Sequence, residues 1–188
     1  MPDFVPDTPD FSEPYDYGIL YCRTGTENQV ARDMQLLLPA SRALCPVRLR
    51  YRRVGDKMLE EKASLFPGYI FFRLSENTDL SILRMNGLIY KILTDHEGYW
   101  QLHGADRALA EKIFADEGVF GFSKAFYVND RIHIVDGPLK DYEGQITKVN
   151  HRKRTAQVVM DVKGISMTVW LGFELIDRPE GSSGVSEP

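Results

Sequence analysis

The first part of the chain alternates between strand-like and helix-like spacing of its apolar residues. Residues 17–23 form an apolar and aromatic run that ends in a Thr-Gly turn, which predicts a first strand. A helix should follow, because Thr26 and Gln29 form a capping box and apolar residues then recur at helical spacing until Pro39. That apolar stripe consists of Val30, Ala31, Met34, Leu37 and Leu38.

Strict alternation of apolar and charged residues begins at Val47 and predicts a strand with one cationic face. Its apolar face should lie against the core. The apolar positions are Val47, Leu49 and Tyr51, and the cationic positions are Arg48, Arg50 and Arg52. Gly55 and Asp56 predict a turn into a returning segment through Met58 and Leu59, followed by an apolar strand over 70–74.

The remaining elements of this part are two helices and a strand. Helices are predicted over 79–85 and 104–117, the second with Ala105, Ala108, Leu109 and Ile113 on one face, and a strand over 88–93. The order β-α-β-β-α-β-α predicts an α+β fold in which helices flank an antiparallel sheet.

The last third of the chain has strand periodicity throughout. Residues 118–124 break the pattern and predict a linker, after which short alternating strands are separated by turn signals. The predicted strands contain 132–134, begin at 146, and cover 156–162 and 167–171. About 50 residues of this kind predict a small β-barrel. We therefore expect an acidic disordered tail over 1–16, an α+β domain over 17–117, a linker over 118–125, a barrel over 126–177 and a second disordered tail over 178–188.

Composition narrows the class of protein. A chain of 188 residues with 43% hydrophobic content suits a globular protein with one ordinary core and a small second domain. The sequence shows no secretion signal and no apolar run long enough to span a bilayer, so we expect a cytoplasmic monomer that makes no membrane contact. Cys22 and Cys45 are far apart in sequence and form no metal-binding pair, which predicts free thiols.

Charge is distributed unevenly along the chain. The formal net charge is −4, but residues 1–16 carry about −5 and residues 177–188 about −2, which leaves the body of the chain at about +3. Residues 42–62 alone carry about +4. A mildly basic body with one concentrated basic segment is compatible with a nucleic-acid partner.

The sequence offers no catalytic arrangement. The histidines at 96, 103, 133 and 151 lack metal-binding spacing, and neither a Gly-x-Ser-x-Gly elbow nor a phosphate-binding glycine loop is present. We therefore expect a binding protein rather than an enzyme, with no cofactor and no metal.

Two motifs carry a family resemblance. Residues 128–138 read VNDRIHIVDGP and are followed by YEGQI at 142–146 and by Val149, which resembles a KOW motif joining the first two strands of an SH3-like barrel. Upstream, residues 65–72 read LFPGYIFF and resemble the central strand of the NusG amino-terminal domain. Both motifs in this order resemble the NusG family of transcription elongation factors over residues 17–177.

The resemblance implies a function by docking. NusG-type amino-terminal domains sit on the clamp helices of the largest RNA polymerase subunit and bridge to the opposite pincer, while the KOW domain hangs free to recruit other factors. Specialised members such as RfaH and LoaP suppress termination in selected operons. This chain resembles that specialised class, and a general housekeeping elongation factor is the first alternative. A ribosome-associated RNA-binding protein built on the KOW barrel is the second.

The resemblance also suggests polymerase-binding residues. Phe66, Tyr69 and Phe71 match the aromatic pocket for the clamp helices, although aromatic residues in a strand are also ordinary core residues. Thr78, Asp79 and Ser81, with Asn77, fall where family members touch the second pincer. The alternative for this loop is a polar turn in which Asp79 caps the next helix.

The arginine strand departs most from housekeeping NusG, in which the segment after the shared proline, Pro46 here, tends to be acidic. Guanidinium groups on one strand face suit phosphates, so we expect contact with an RNA hairpin or the non-template DNA strand. The predicted nucleic-acid-binding residues are Arg42, Arg48, Arg50, Arg52, Arg53 and Lys57. The alternative is a solvated hairpin face that discourages edge pairing.

Two features of the predicted barrel bear on its partners. Residues 151–154 read HRKR and form a basic hairpin tip, which we interpret as solvated with RNA contact as the lesser alternative. Lys163 occupies the position at which housekeeping members carry an exposed aromatic residue used in recruitment. The small ribosomal subunit and Rho, the partners that the resemblance implies for this domain, are therefore in doubt.

Overall fold

The computed structural model describes residues 15–75, 78–129 and 131–178. The predicted disordered tails therefore lie almost wholly outside the described residues, as does Asn77. In chain order the elements are β1 (Tyr15–Cys22), α1 (Glu27–Leu37), β2 (Arg42–Leu44), β3 (Val47–Val54), β4 (Lys57–Ser64), β5 (Tyr69–Ser75), a first 3₁₀ helix (Ser81–Met85), β6 (Ile89–Ile92), α2 (Gly104–Ala115), β7 (Val119–Phe120), β8 (Ser123–Val128), β9 (Arg131–Asp136), a second 3₁₀ helix (Pro138–Gln145), β10 (Ile146–Asn150), β11 (Thr155–Val162) and β12 (Ile165–Leu175).

A four-stranded antiparallel sheet in the order β2-β5-β1-β6 organises the first part of the chain. Because strand side chains alternate, β5 contributes to two apolar clusters. Ile70 and Phe72 belong to the cluster that α1 and the first 3₁₀ helix complete, whereas Phe71 belongs to the cluster that contains Ile113 and Phe114 of α2. The expected α+β fold with helices flanking an antiparallel sheet is confirmed.

Several local predictions need correction. The Thr26 side chain caps no helical N–H and instead donates a hydrogen bond to the Arg23 carbonyl oxygen. The buried face of α2 is set by Ala110, Ile113 and Phe114, while Ala105 and Ala108, which the spacing placed in the core, are exposed. The segment over 79–85 forms a short 3₁₀ helix.

The arginine strand β3 lies outside the main sheet. It pairs with β4 as an antiparallel hairpin and with β7 in parallel, forming a separate three-stranded sheet. β7 comes from the segment predicted to be a linker, so that segment is ordered against β3. The apolar face predicted to lie against the core, Val47, Leu49 and Tyr51, is only half-buried, and Tyr51 packs on Phe122.

The C-terminal sheet (β8–β12) has the strand order β10-β11-β12-β8-β9. In β11 the predicted apolar face is buried, with Ala156, Val158, Met160 and Val162 all 2% exposed or less. The periodicity missed β8 and the second 3₁₀ helix. β8 pairs in parallel with β12 and antiparallel with β9, so it lies between these two strands in the sheet.

The two parts of the chain pack against each other. Lys163, at the turn between β11 and β12, inserts beside Asp95 and Asp106 of the first part, and β12 runs beside β3. The resemblance implied a freely hanging C-terminal domain, whereas here it is docked. No helix within the described residues has the length and apolarity needed to cross a membrane.

Candidate nucleic-acid interface

A basic groove lies between β3 and the C-terminal sheet. Its volume is about 780 Å³. Six of its lining residues are cationic, namely Arg48, Arg50, Arg52, Arg53, Arg152 and Lys153. The other lining residues are Tyr51, Met58, Asn150, Thr155 and Trp170, so among the described residues no carboxylate lines the groove. The structure thus brings together four predicted strand arginines and two cations of the hairpin tip.

Glu61 on β4 partly neutralises the arginine strand. It lies directly opposite Arg50 in the hairpin, and its carboxylate accepts a hydrogen bond from Arg50 Nε at 2.6 Å. A second ion pair joins Arg52 to the same carboxylate, with 3.5 Å between Nη1 and Oε2. The hydrogen bond from Arg50 is the largest of the interactions that lower the pKa of Glu61.

Glu61 was not among the residues predicted from the sequence, although the chain contains the signal that places it. A two-residue turn at Gly55 and Asp56 fixes the hairpin register, and that register sets position 61 opposite position 50.

Arg48 differs from the other strand arginines because it contacts the C-terminal sheet. Its Nη1 donates a hydrogen bond to the backbone carbonyl oxygen of Trp170 on β12. Burial, and then the charge of Arg50, lower the pKa of Arg48. Arg48 therefore helps to hold the two walls of the groove together and has less freedom than its neighbours to meet a ligand.

The opposite wall of the groove ends in the β10–β11 turn. The backbone N–H of Lys153 donates a hydrogen bond to Asn150 Oδ1 at 2.9 Å, and Arg154 adopts a positive φ of 50° that closes the turn. Arg152 and Lys153 are exposed at this tip. The turn therefore holds two exposed cationic side chains across from the arginine strand.

Tyr51 lines the groove and contacts residues of the C-terminal part of the chain. Its ring stacks on Phe122 with centroids 4.5 Å apart, and its hydroxyl donates a hydrogen bond to the Glu174 carboxylate on β12 at 2.5 Å. Gly172 permits this approach, because a Cβ at that position would lie 2.6 Å from the Phe122 ring and 3.0 Å from the Leu49 carbonyl oxygen.

Two predicted nucleic-acid-binding residues lie outside the groove. Arg42 is on β2 and forms an ion pair with Glu117, which ties the first sheet to the end of α2. Lys57 lies at the exposed start of β4 and is not among the lining residues. Their spacing in the sequence suggested one patch, but Arg42 belongs to a different sheet from the β3–β4 hairpin and Lys57 is not among the groove residues.

The predicted polymerase-binding aromatic residues differ in exposure. Phe66 and Phe71 are 1% and 0% exposed and pack against each other in the core, so in this arrangement they offer no surface to a partner. Tyr69 is half-buried and packs on Tyr21, which in turn packs on Tyr90. Tyr90 is 60% exposed. We call Tyr21, Tyr69 and Tyr90 the tyrosine cluster. Polymerase contact by these residues stays a prediction.

The polar loop before the first 3₁₀ helix forms a local turn. Asp79 Oδ1 accepts a hydrogen bond from the Ser81 backbone N–H at 2.8 Å, and Thr78 Oγ1 donates one to the Ser75 carbonyl oxygen at 3.0 Å. These bonds make a polar turn, as in the alternative interpretation, but the cap residue of the 3₁₀ helix is Leu80 and no side chain caps the helix. Asp79 and Ser81 remain exposed, so a partner could still reach them.

Lys163 is buried between the two parts of the chain. Its side chain is 6% exposed, and its Nζ donates a hydrogen bond to the Gln101 carbonyl oxygen at 2.7 Å and pairs with Asp95 at 3.5 Å. Burial opposes ionisation of Asp95, but the N–H groups around it and the Lys163 charge outweigh that effect and lower its pKa. Lys163, which stands where the resemblance implies a recruiting aromatic residue, is therefore engaged in an internal contact.

Within the described residues, no cluster of His, Cys, Asp or Glu side chains could hold a metal ion. Cys22 and Cys45 are free, as predicted, and burial is the main cause that raises the pKa of Cys45 to about 12. A thiol with such a pKa is a poor nucleophile near neutral pH.

The chain is similar to solved structures of known proteins. The structure titled "Domain interaction in Thermotoga maritima NusG" is 18% identical in sequence to this chain, covers 85% of this chain and 94% of that chain, and has a TM-score of 0.48. No protein-family model matches the chain. No curated protein matches it either.

Proposed function

We propose that this chain is a transcription elongation factor that docks on RNA polymerase and promotes processive antitermination of selected operons, with direct contact to nucleic acid through the arginine strand. The observation that carries the nucleic-acid contact is the groove in which Arg48, Arg50, Arg52 and Arg53 come together. Guanidinium groups bind phosphates in a planar, two-pronged manner, and in a groove their charges add to one local field.

The order of the two sequence motifs supports the polymerase-binding part of the proposal. The Phe-Pro-Gly-Tyr motif leads into β5, an interior strand of the first sheet, as expected for its counterpart in the NusG family. The second motif spans the end of β8, all of β9 and the turn after it, which suits a KOW motif in an SH3-like barrel.

The backbone of the KOW-like turn requires glycine at position 137. Gly137 adopts a φ of 92°, and a Cβ there would lie 2.6 Å from Ser123 Cα. Only glycine fits such an approach without backbone strain. The Ser123 hydroxyl oxygen beside it accepts a hydrogen bond from the Leu139 backbone N–H at 2.8 Å, which fixes the start of the second 3₁₀ helix.

The tyrosine cluster is the best candidate surface for the clamp helices. It includes Tyr69 of the Phe-Pro-Gly-Tyr motif and exposes aromatic area on Tyr90. Partly exposed aromatic side chains are enriched among the residues that dominate protein interfaces. Tyr69 therefore keeps the polymerase-binding role that the motif suggested, and the buried rings of Phe66 and Phe71 support it from the core.

The antitermination role can be tested by single-round transcription with purified polymerase on a template that carries an intrinsic terminator. We expect the protein to increase readthrough, and the gain should depend on the sequence placed upstream of the terminator. A uniform effect on every template would instead favour a housekeeping elongation factor. No effect on elongation, combined with co-sedimentation with ribosomal subunits, would favour the ribosome-associated alternative.

A further inference from the structure

We propose that Arg152, Lys153 and Trp170 of the C-terminal sheet complete the basic groove as a binding site for a single strand of nucleic acid, which lies between the two parts of the chain. This inference rests on the proposed contact between nucleic acid and the arginine strand. It adds a second wall, a base-stacking side chain and a class of ligand.

Both walls of the groove carry positive charge. β3 supplies Arg50, Arg52 and Arg53 on one side, and the β10–β11 turn supplies Arg152 and Lys153 on the other. A phosphate backbone that runs along the groove would meet cations on both sides, which a flat patch on a lone hairpin does not provide. The groove has a volume of about 780 Å³.

The tip cations carry more uncompensated charge than the strand arginines. Arg50 and Arg52 share the Glu61 carboxylate, and Arg53 pairs with Asp56 at 3.6 Å. By contrast, no ion pair with a described residue forms at Arg152 or Lys153. Their attraction to an incoming phosphate is therefore not reduced by a neighbouring carboxylate.

Trp170 supplies the aromatic surface. Val169 and Leu171 are buried in the C-terminal sheet, so alternation along β12 directs Trp170 to the opposite face, where it lines the groove. Indole rings stack on unpaired bases without regard to sequence. A duplex keeps its bases stacked on each other and exposes only their edges, so a groove with an aromatic wall fits a single strand better.

Binding in this groove would depend on the packing of the two parts of the chain. The Arg48 guanidinium and the Tyr51 hydroxyl both bond to β12 and hold β3 beside it. A strand held between the walls would add contacts that exist only in this packed arrangement. The ligand therefore should stabilise the association of β3 with the C-terminal sheet.

The first test uses the full chain, fluorescently labelled oligo(U) and oligo(dT), and a hairpin duplex as a third probe. The tip variant, Arg152→Gln with Lys153→Gln, is compared with a control variant of equal charge, Lys124→Gln with Arg131→Gln, whose residues do not line the groove. For single strands each lost phosphate contact reduces the salt slope by about 0.7, so the tip variant should lose about 1.4. Its affinity at 50 mM salt should fall on the order of 10-fold or more, and the control should fall much less.

The second test follows Trp170 directly. The chain has two tryptophans, and Trp100 lies against Phe72, away from the groove. In a Trp100→Phe background, oligonucleotide binding should quench the remaining fluorescence, and Trp170→Ala in the otherwise native chain should weaken single-strand binding roughly 5- to 150-fold. Binding of oligo(U), oligo(dT) or both supports the proposal, and a preference shows which of the two nucleic acids binds better.

Three results would overturn the inference. If the tip variant and Trp170→Ala bind as tightly as the control while Arg50→Gln with Arg52→Gln loses binding, the arginine strand acts alone and the proposed function stands without the composite groove. Stronger binding of the hairpin duplex than of either single strand would also reject the ligand class. If the native chain binds none of the probes, the nucleic-acid part of the proposed function fails together with this inference.

Discussion

The hydroxyl of Tyr51 on β3 donates a hydrogen bond to the carboxylate of Glu174 on β12, 123 positions later in the chain. This bond joins the arginine strand to the C-terminal sheet and, with the stacking of Tyr51 on Phe122, fixes the base of the basic groove. The groove is therefore a tertiary feature, and its integrity depends on contacts that neither part of the chain makes alone.

Removal of this bond should weaken the packing of the two parts. Tyr51→Phe keeps the ring on Phe122 but loses the donor, so we expect a loss of about 1 kcal/mol in the free energy of unfolding, measured by urea titration at pH 7. Tyr99→Phe is the control, because Tyr99 is 58% exposed and does not line the groove. Equal stability of Tyr51→Phe and the native chain would mean that the bond contributes nothing.

The same bond gives a pH dependence. The hydrogen bond to Glu174 is the main cause that raises the pKa of Tyr51 above its ordinary value of 10.0. The stabilisation is therefore fully present below pH 10 and is lost as the pH rises through the raised pKa, because an ionised tyrosine cannot donate. Alkaline destabilisation should be steeper in the native chain than in Tyr51→Phe, and parallel pH profiles would contradict this assignment.

The arginine strand should account for much of the salt dependence of nucleic-acid binding. Arg50→Gln, Arg52→Gln and Arg53→Gln together should reduce the salt slope for single strands by about 2, since each contact contributes about 0.7. Arg48 is left unchanged, because its bond to the Trp170 carbonyl oxygen supports the fold. Filter binding between 50 and 200 mM salt measures the slope.

A matched control separates this effect from net charge. Arg23→Gln, Arg32→Gln and Lys124→Gln remove the same charge from exposed positions outside the groove. If the control reduces the slope as much as the strand variant, the attraction is a general property of the chain and the groove is not its site.

Glu61 should restrain nucleic-acid binding. Its carboxylate pairs with both Arg50 and Arg52, so Glu61→Gln frees two guanidinium groups for phosphates. Exposed ion pairs are worth a few tenths to 1 kcal/mol, and the affinity should therefore rise roughly 1.5- to 5-fold. Glu97→Gln is the control, because Glu97 is exposed and does not line the groove. An unchanged or weaker affinity for Glu61→Gln would show that the pairs do not compete with the ligand.

Lys163 should stabilise the packed arrangement. Lys163→Met keeps the length of the side chain but leaves the Gln101 carbonyl oxygen and Asp95 without its ammonium group, which should cost about 1.5 to 3 kcal/mol. Thermal unfolding measures the loss, with Lys148→Met on the exposed face of β10 as the control. If the melting temperature equals that of the control, the Lys163 ammonium group does not stabilise the contact between the two parts of the chain.

Local periodicity predicted most elements of this fold, because the spacing of apolar residues reflects which face of a strand or helix is buried. The alternation in β3 correctly predicted a strand, but Tyr51 lines the groove together with Arg48, Arg50 and Arg52. It could not reveal what Tyr51 and Leu49 would face, because β12 reaches them across more than a hundred residues. The sequence likewise gave no sign that β7 would extend the hairpin.

The candidate site was predicted only in part for the same reason. Four strand arginines line the groove, whereas Arg42 and Lys57 do not, and the tip at Arg152 and Lys153 was interpreted as a separate solvated turn. Whether distant turns share a groove depends on tertiary packing, which short-range spacing does not encode. Burial of Phe66 and Phe71 agrees with the general preference of aromatic strand residues for the core.

The tyrosine cluster gives the most specific variant for polymerase binding. Tyr69→Ala with Tyr90→Ala removes aromatic area at the partly exposed end of the cluster without touching the buried rings. If this area forms the centre of the interface, the loss should be about 30-fold in affinity. Tyr99→Ala, similarly exposed but outside the cluster, is the control, and the melting temperatures of all three proteins must be compared.

Binding of the purified full-length chain to purified RNA polymerase core, measured as a dissociation constant by pull-down titration, tests the central claim most directly. The account predicts saturable binding of the native chain, about 30-fold weaker binding of Tyr69→Ala with Tyr90→Ala, and no change for Tyr99→Ala. A native chain that shows no affinity for the polymerase core would contradict the proposed function.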